Sequence, residues 1–286
     1  SDKGIRIYGD FNFINAIKQE EFFLTANLED VSADYDKLKS ILPNLLGKTL
    51  PTEFKKLGKF SVTGFTKITP KNIEATLEIE SEIGEVITDL ELRDFASIDD
   101  AAYKGEVELL RFDLEKFFND PLVGKISFKG EVDGKGFRIE NISTKLIGNV
   151  SQIEFSGYNY QNITVNGLYE NNLFDGKLES NDVNLKGSFE GLADLSEEVN
   201  KFDFKAIVNY ADLKALKLYN RDSISELKGI IDLDLKGNQL DNIVGIANFK
   251  NIEYRNEKDT YPFKQFLIFS TLKEGIRNIR VDSEDI

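Results

Sequence analysis

The stretch N-I-E-A-T-L-E-I-E-S-E-I, from Asn72 to Ile83, decides how this chain folds. Its isoleucine, leucine and alanine residues occupy odd-numbered positions, whereas its glutamates occupy even-numbered ones. Successive side chains of a β-strand point to opposite faces of a sheet, so this alternation predicts a strand with one apolar face and one acidic, hydrated face.

The same alternation recurs along most of the chain. It is clear in G-K-I-S-F-K-G-E-V-D (124–133), K-F-D-F-K-A-I-V (201–208) and L-K-G-I-I-D-L-D-L-K (227–236). In V-I-T-D-L-E-L-R-D (86–94) the apolar residues are out of phase, which indicates a bulge or burial on both faces. Turn residues such as Asn171-Asn172 recur at the spacing of consecutive hairpins. The sequence therefore predicts a mainly β protein made of antiparallel strands.

Three short segments interrupt the strands and carry apolar residues at helical spacing. These segments are residues 34–46, 113–119 and 211–219. Each begins near an aspartate that can cap a helix, namely Asp34 or Asp36, Asp113, and Asp212. Taking one helix per module divides the chain into residues 1–100, 101–200 and 201–286. The unequal spacing argues against a solenoid with a short fixed period, and any β-rich chain of this size could contain three such helices by chance.

The apolar-face residues of the best-patterned strands are the candidate functional residues. They are Ile73, Leu77, Ile79, Ile83, Ile126, Phe128, Val132, Phe202, Phe204, Val208, Ile231, Leu233 and Leu235. If the apolar face is uncovered, these side chains line an open groove. If it is covered, they form the core of a closed β-sandwich. The alternation is the same in both cases, so it leaves both open.

Composition argues against most reaction chemistries. The chain contains no His and no Cys, which excludes Ser-His-Asp triads, thiolate ligands and most catalytic zinc sites within this segment. Asp232 and Asp234 lack the ligand spacing of an EF-hand, and the glycines after Lys129 precede no helix, unlike those of a phosphate-binding loop. We therefore predict that the chain is not an enzyme and has no catalytic residues, metal or cofactor.

The charge and the start of the chain add two expectations. A formal net charge of −14 disfavours nucleic acid and anionic membrane surfaces as partners. It also keeps an extended β surface soluble and opposes pairing between sheet edges. The chain begins Ser1-Asp2-Lys3-Gly4 without Met, so we expect it to be a segment of a longer protein.

Several motifs resemble the AsmA-like and TamB-like proteins of Gram-negative bacteria. The first is D-L-E-K-F-F-N-D-P-L (113–122) followed by G-K-I-S-F-K-G-E-V-D-G-K-G (124–136). A-D-L-K-A-L-K-L-Y (211–219) before L-K-G-I-I-D-L-D-L-K-G-N (227–238) is similar, as is V-N-L-K-G-S-F-E-G (183–191). In that family, strands end in Gly-containing turns and short D-L-x-x-L helices separate the modules. The abundance of Asn, Lys, Ile and Phe resembles Bacteroidetes members.

The resemblance implies a long antiparallel sheet curled lengthwise into a taco-like groove with an apolar inner face and a few short helices between modules. It implies a periplasmic location, within a longer protein anchored in the inner membrane. The implied function is phospholipid transport between membranes, with acyl chains carried on the apolar face. A role in outer-membrane protein assembly is implied as well, with an outer-membrane barrel protein contacted through regions outside this segment.

An alternative is a structural or interaction module, a β-sandwich or β-solenoid that binds a protein or glycan surface. Such a module would carry aromatic side chains on its outer surface. The candidates are Tyr158, Tyr160, Tyr169, Tyr210 and Tyr219. Tyrosine is also a good strand former, so these residues do not by themselves decide between the two functions.

Overall fold

The computed structural model describes residues 5–15, 19–41, 52–94, 100–138, 140–196, 198–238 and 241–284. Within them, sixteen strands form one antiparallel sheet whose strand order is the chain order, so the prediction of a mainly β, antiparallel protein is confirmed. The strands are β1 (Arg6–Ile14), β2 (Phe23–Asp34), β3 (Lys59–Ile68), β4 (Asn72–Ser81), β5 (Gly84–Arg93), β6 (Ala102–Asp113), β7 (Val123–Lys135), β8 (Ser143–Phe155), β9 (Tyr158–Glu170), β10 (Leu173–Asn181), β11 (Leu185–Asp194), β12 (Lys201–Asp212), β13 (Ser225–Lys236), β14 (Val244–Asn256), β15 (Thr260–Lys273) and β16 (Ile276–Ser283).

The chain divides into two compact units, with the boundary between Glu154 and Phe155. The first unit holds β1 to β7 and nearly all of β8, and the second holds β9 to β16. This boundary lies inside the middle module of the sequence-based division, and the division into three modules stays a prediction.

The hairpin of β4 and β5 has the two faces that the sequence indicates. Ser81 pairs with Gly84 across a two-residue turn, and the register then runs without a shift to the pair Asn72 and Arg93. Directly opposite residues of an antiparallel pair share a face. Ile79 therefore lies beside Val86, whereas Ile87 lies on the acidic face opposite Glu78. The register shows no bulge in residues 86–93, and Ile87 is half-buried on the acidic face.

The first helix, α1, spans Tyr35–Ile41. It follows Asp34, whose Oδ1 accepts a hydrogen bond from the Lys37 backbone N–H at 3.0 Å. Asp34 is therefore the capping aspartate, rather than Asp36. Residues 42–46 of the predicted helix lie outside the described residues. Two short 3-10 helices, Gln19–Glu21 and Thr52–Leu57, precede β2 and β3.

The second helix, α2, spans Leu114–Phe118. Its N-cap is Asp113, whose carboxylate accepts a hydrogen bond from the Lys116 backbone N–H at 3.0 Å. The helix ends at Asn119, which has the left-handed φ of 59°. The asparagine thus ends the helix two residues before Pro121.

The helix predicted at 211–219 is wrong. Strand β12 continues to Asp212, and a single hydrogen-bonded turn follows, in which the Leu216 N–H donates to the Asp212 carbonyl at 3.0 Å. The Asp212 carboxylate accepts hydrogen bonds from the backbone N–H groups of Lys214 and Ala215, as a helix cap would. Lys217 then adopts a left-handed φ of 61°, which stops the helical turn before a second one forms.

Alternation of strand direction places these segments in equivalent positions. Connections that follow even-numbered strands lie at one end of the strands, and those that follow odd-numbered strands lie at the other. In the first unit, α1 and α2 follow β2 and β6. In the second unit, the Asp212 turn follows β12. Each unit therefore has added structure at the end where its even-numbered strands finish.

Candidate functional site

The thirteen candidate lining residues belong to one apolar face within each unit. In the first unit, Ile79 of β4 connects through Val86 and Leu109 to Phe128 of β7 by direct cross-strand pairing. The other candidates on these strands have the same parity, except that Ile83 is buried in the β4–β5 turn. In the second unit, Phe202 pairs with Leu235. The remaining candidates of β12 and β13 share that face, and they are Phe204, Val208, Ile231 and Leu233.

Most of these side chains are half-buried. Phe128, Val208 and Ile83 are buried, and the other candidates have intermediate exposure. Neighbours on adjacent strands shield the flanks of each side chain. Among the described residues every strand belongs to the same sheet, so no second sheet covers these side chains. This leaves apolar surface accessible along both units, although whether the thirteen residues bind a ligand stays a prediction.

Aromatic side chains cover one end of the apolar face in the first unit. The ring of Phe112 on β6 contacts Phe117 of α2 with a centroid distance of 5.4 Å, and Phe117 contacts Phe118 at 5.1 Å. The Lys56 Nζ of the nearby 3-10 helix donates to the Phe117 carbonyl at 2.7 Å. The short helices thus pack on the sheet where the even-numbered strands end.

The turn after β12 has the corresponding position in the second unit. Its Leu216 is buried in a cluster with Ala206, Val208 and Ala211 of β12. Tyr158 and Tyr160 pack against this cluster with their rings edge to face, 4.7 Å apart. The turn therefore contributes a core side chain even though it forms no helix.

A row of glycines interrupts the apolar face of the second unit. Gly176 of β10 lies directly opposite Gly167 of β9 on one side and Gly191 of β11 on the other. Gly191 has a φ of 136°, and a Cβ built there would lie 2.3 Å from the Asp203 carbonyl oxygen. No larger residue fits at that position without moving the neighbouring strand.

Two glycines of this row, Gly176 and Gly191, border a hollow of about 140 Å³. Its lining comes from β10, β11 and Phe204 of β12. The lining side chains of β10 and β11 include Phe174, Leu178, Phe189 and Ala193. The hollow is open to solvent, and its volume is close to that of an enclosed apolar cavity that accepts benzene. Its size therefore suits a short hydrocarbon segment.

Sequence analysis identified Phe204 but missed the other side chains of the hollow. The strands that carry Phe174 and Phe189 are visible in the sequence, and Gly176 and Gly191 have the same parity as those phenylalanines. The signal in the sequence was a glycine at a strand position where the alternation calls for an apolar side chain. Only the register between β9, β10 and β11 reveals that three such glycines are aligned.

The five tyrosines proposed as a binding platform do not share one face. Tyr158, Tyr160 and Tyr169 lie on the apolar side of β9, whereas Tyr210 lies on the opposite side of β12, beside Lys186. Burial raises the pKa of Tyr158, and its hydrogen bond to the Asp182 carboxylate raises that pKa further. Tyr219 lies apart from these strands, in the connection that follows β12.

In the part of the chain that the structure describes, no group of three acidic residues is close enough to hold a metal ion. None of the helices in that part is sufficiently long and apolar to cross a membrane. Comparison of the chain with protein-family models, with curated proteins and with solved structures gives no match.

Proposed function

We propose that this chain binds lipid acyl chains on its apolar face, as the groove of a protein that carries phospholipid across the periplasm. The observation that carries the proposal is the hollow beside Gly176 and Gly191, set in a face of half-buried apolar side chains. No polar or charged side chain is needed for this function, because the ligand group is hydrocarbon.

The energetics favour such a surface. Removing one methylene group from water is worth about 0.8 kcal/mol, so the two chains of a phospholipid cost on the order of 20 kcal/mol to expose. A surface of half-buried Ile, Leu, Val and Phe side chains offsets that cost without holding the lipid in one position. The acidic opposite face, with exposed Glu74, Glu78 and Glu80, keeps the sheet in water.

The resemblance to AsmA-like and TamB-like proteins supports the wider part of the proposal. That part comprises a periplasmic location, attachment to the inner membrane through regions outside this chain, and delivery of phospholipid toward the outer membrane. It rests on the sequence motifs, whereas acyl-chain binding rests on the surface itself.

Lipid binding is tested first on the purified chain. Native mass spectrometry and solvent extraction after expression in a Gram-negative host are expected to find co-purified phospholipid. A chain free of lipid that also fails to bind a fluorescent fatty acid would contradict the proposal and would favour an interaction module.

A matched pair of variants locates the binding surface. Leu178→Glu places a carboxylate in the hollow, where contact with an acyl chain would leave it without water, so we expect fatty-acid affinity to fall at least about tenfold. Ile207→Glu introduces the same charge at an exposed position on the opposite face of β12, and we expect affinity to stay unchanged. Equal losses in both variants would show that binding does not use the apolar face.

A further inference from the structure

We propose that the phenyl ring of Phe174 closes one end of the apolar hollow and so limits the length of hydrocarbon that the hollow holds. The hollow is the one bordered by Gly176 and Gly191. The inference rests on the proposed function, because it names the residue that sets how an acyl chain fits there. Phe174 is then a specificity-determining residue and not only a part of the lining.

The row of glycines is longer than the hollow beside it. Gly167 of β9, Gly176 of β10 and Gly191 of β11 lie directly opposite one another across three strands. Gly176 and Gly191 border the hollow, whereas Gly167 does not. Gly167 is buried although it has no side chain, and the other two glycines are only half-buried. A neighbouring group therefore covers Gly167.

The covering group is the ring of Phe174. This residue precedes Gly176 by two positions on the same face of β10, and its ring turns back over the glycine row. A Cβ built at Gly167 would lie 2.7 Å from Cζ of the Phe174 ring, and one built at Gly176 would lie 3.1 Å from that atom. At Gly191, the three atoms nearest to a built Cβ belong to residues of β12 instead. The ring therefore covers the row at β9 and leaves it open between β10 and β11.

A second ring in the chain covers glycines in the same manner. In the first unit, Phe128 precedes Gly130 by two positions on β7, and its Cζ would lie 2.7 Å from a Cβ built at that glycine. Its Cε2 would lie 2.7 Å from a Cβ built at Gly148 of β8. Phe128 is buried, whereas Phe174 is half-buried and lines the hollow. The Phe174 ring therefore has an accessible side that a ligand in the hollow can contact.

A third phenylalanine with this spacing shows what an uncovered glycine leaves. Phe189 precedes Gly191 by two positions on β11. None of the three atoms nearest to a Cβ built at Gly191 belongs to Phe189, whose ring lies 6.4 Å from that of Phe204 between centroids. The hollow lies beside this uncovered glycine. The position of the ring, and not the glycine alone, thus decides where the apolar face is deep.

Different side chains close the two ends of the hollow. Phe204 of β12 lies directly opposite Gly191 and forms the end away from Phe174. Neighbouring strands are about 4.8 Å apart, so uncovering Gly167 would lengthen the hollow by about that distance. Hydrocarbon that lies beside Gly176 can then continue onto β9. We therefore expect truncation of Phe174 to extend the bound segment by a few methylene groups.

Photolabelling of the 286-residue chain tests the proposal. The probe is a fatty acid that carries a diazirine at its terminal carbon, and mass spectrometry of the digested chain identifies the labelled residues. In the unmodified chain we expect label on Leu178 and Ala193, which line the hollow, and little label on the covered Gly167. In Phe174→Ala, the label on Gly167 should rise several-fold relative to the label on Leu178. This ratio does not depend on the overall affinity for the probe.

Two further variants separate the effect of the ring from a general change in the sheet. Leu168→Ala removes an apolar side chain from the opposite face of β9, beside Asp175, and should leave the labelling ratio unchanged. Phe174→Leu keeps an apolar side chain but removes the ring that reaches Gly167, so it should raise the ratio with a smaller loss of packing. It takes the place of Phe174→Ala if circular dichroism shows that the alanine variant has lost its sheet signal.

The labelling pattern distinguishes failure of this inference from failure of the proposed function. A chain that takes up no label in the hollow would contradict both. Label on Leu178 and Ala193 with no rise at Gly167 in either Phe174 variant would overturn only the role of Phe174. Label on Gly167 of the unmodified chain at the level of Leu178 would do the same, because the ring would then not cover the glycine.

Discussion

In the second unit, the buried Asp182 carboxylate links neighbouring segments of the chain through hydrogen bonds. It lies in the β10–β11 turn, is fully buried, and accepts hydrogen bonds from the Tyr158 hydroxyl at 2.7 Å, the Gln161 N–H at 2.8 Å and the Asn184 N–H at 2.7 Å. Tyr158 and Gln161 belong to the beginning of β9, whereas Asn184 lies in the same turn as Asp182. The carboxylate therefore joins the beginning of β9 to the β10–β11 turn.

Replacement of this carboxylate is the first prediction. Asp182→Ala leaves three part-buried donors without their shared acceptor, so we expect it to lower the free energy of unfolding by about 2–4 kcal/mol. Asp175→Ala, on the exposed face of β10, should change it by less than about 0.5 kcal/mol. Urea unfolding followed by circular dichroism measures both, and similar losses in the two variants would contradict the structural role of Asp182.

At the scale of elements, the polar face of β5, β6 and β7 combines like and opposite charges. Glu106 lies directly opposite Asp89 on one side and Glu131 on the other. Two residues along the same strand, Glu108 contacts the Lys129 ammonium at 2.7 Å, and this carboxylate raises the pKa of Lys129. Strand β6 therefore carries one glutamate, Glu106, that faces like charges, and a second, Glu108, that faces a lysine.

The second prediction uses this pair of positions. Glu106→Gln removes repulsion and should raise the free energy of unfolding by a few tenths of a kcal/mol, about the size of a cross-strand charge effect. Glu108→Gln removes attraction and should lower it. Urea titrations at low salt measure the difference, which should shrink at about 1 M salt because exposed charges are then screened. A difference of the same sign and size at both salt concentrations would rule out a charge effect.

At the scale of the whole molecule, strand order equals chain order. Each strand therefore pairs only with the strands that precede and follow it in sequence, as units do in a repeat protein. Stability in such an array depends on contacts between adjacent strands. A destabilising substitution in one region therefore need not affect distant strands. Leu216 is a suitable test, because its contacts lie within the second unit.

The third prediction follows from this arrangement. Leu216→Ala removes a buried side chain and should destabilise its surroundings by about 2–5 kcal/mol. Hydrogen exchange with mass spectrometry should detect faster exchange in β9, β12 and β13, whereas β3 to β6 should keep their protection. Equal acceleration in all strands would show that the chain unfolds as one cooperative unit.

Strand faces and helix caps could be predicted from the sequence, whereas the turn at Asp212 could not, and the reason is physical. Alternation placed Ile73, Leu77 and Ile79 on one face correctly, because parity is a property of a single strand. Capping aspartates were recognisable because a cap acts within a few residues. At Asp212 the cap is present but the helix is not, since one turn of helix is marginal alone and its outcome depends on what it packs against.

The sequence by itself thus determined that the chain makes strands, which side of each strand is apolar, and which reaction chemistries its missing His and Cys residues preclude. Only the tertiary structure decided that Gly167, Gly176 and Gly191 lie side by side and that Leu216 is part of a core. The reason is that parity comes from the backbone of one strand, whereas register and packing come from pairing between strands. The apolar hollow lies beside two glycines, Gly176 and Gly191, that this pairing brings together.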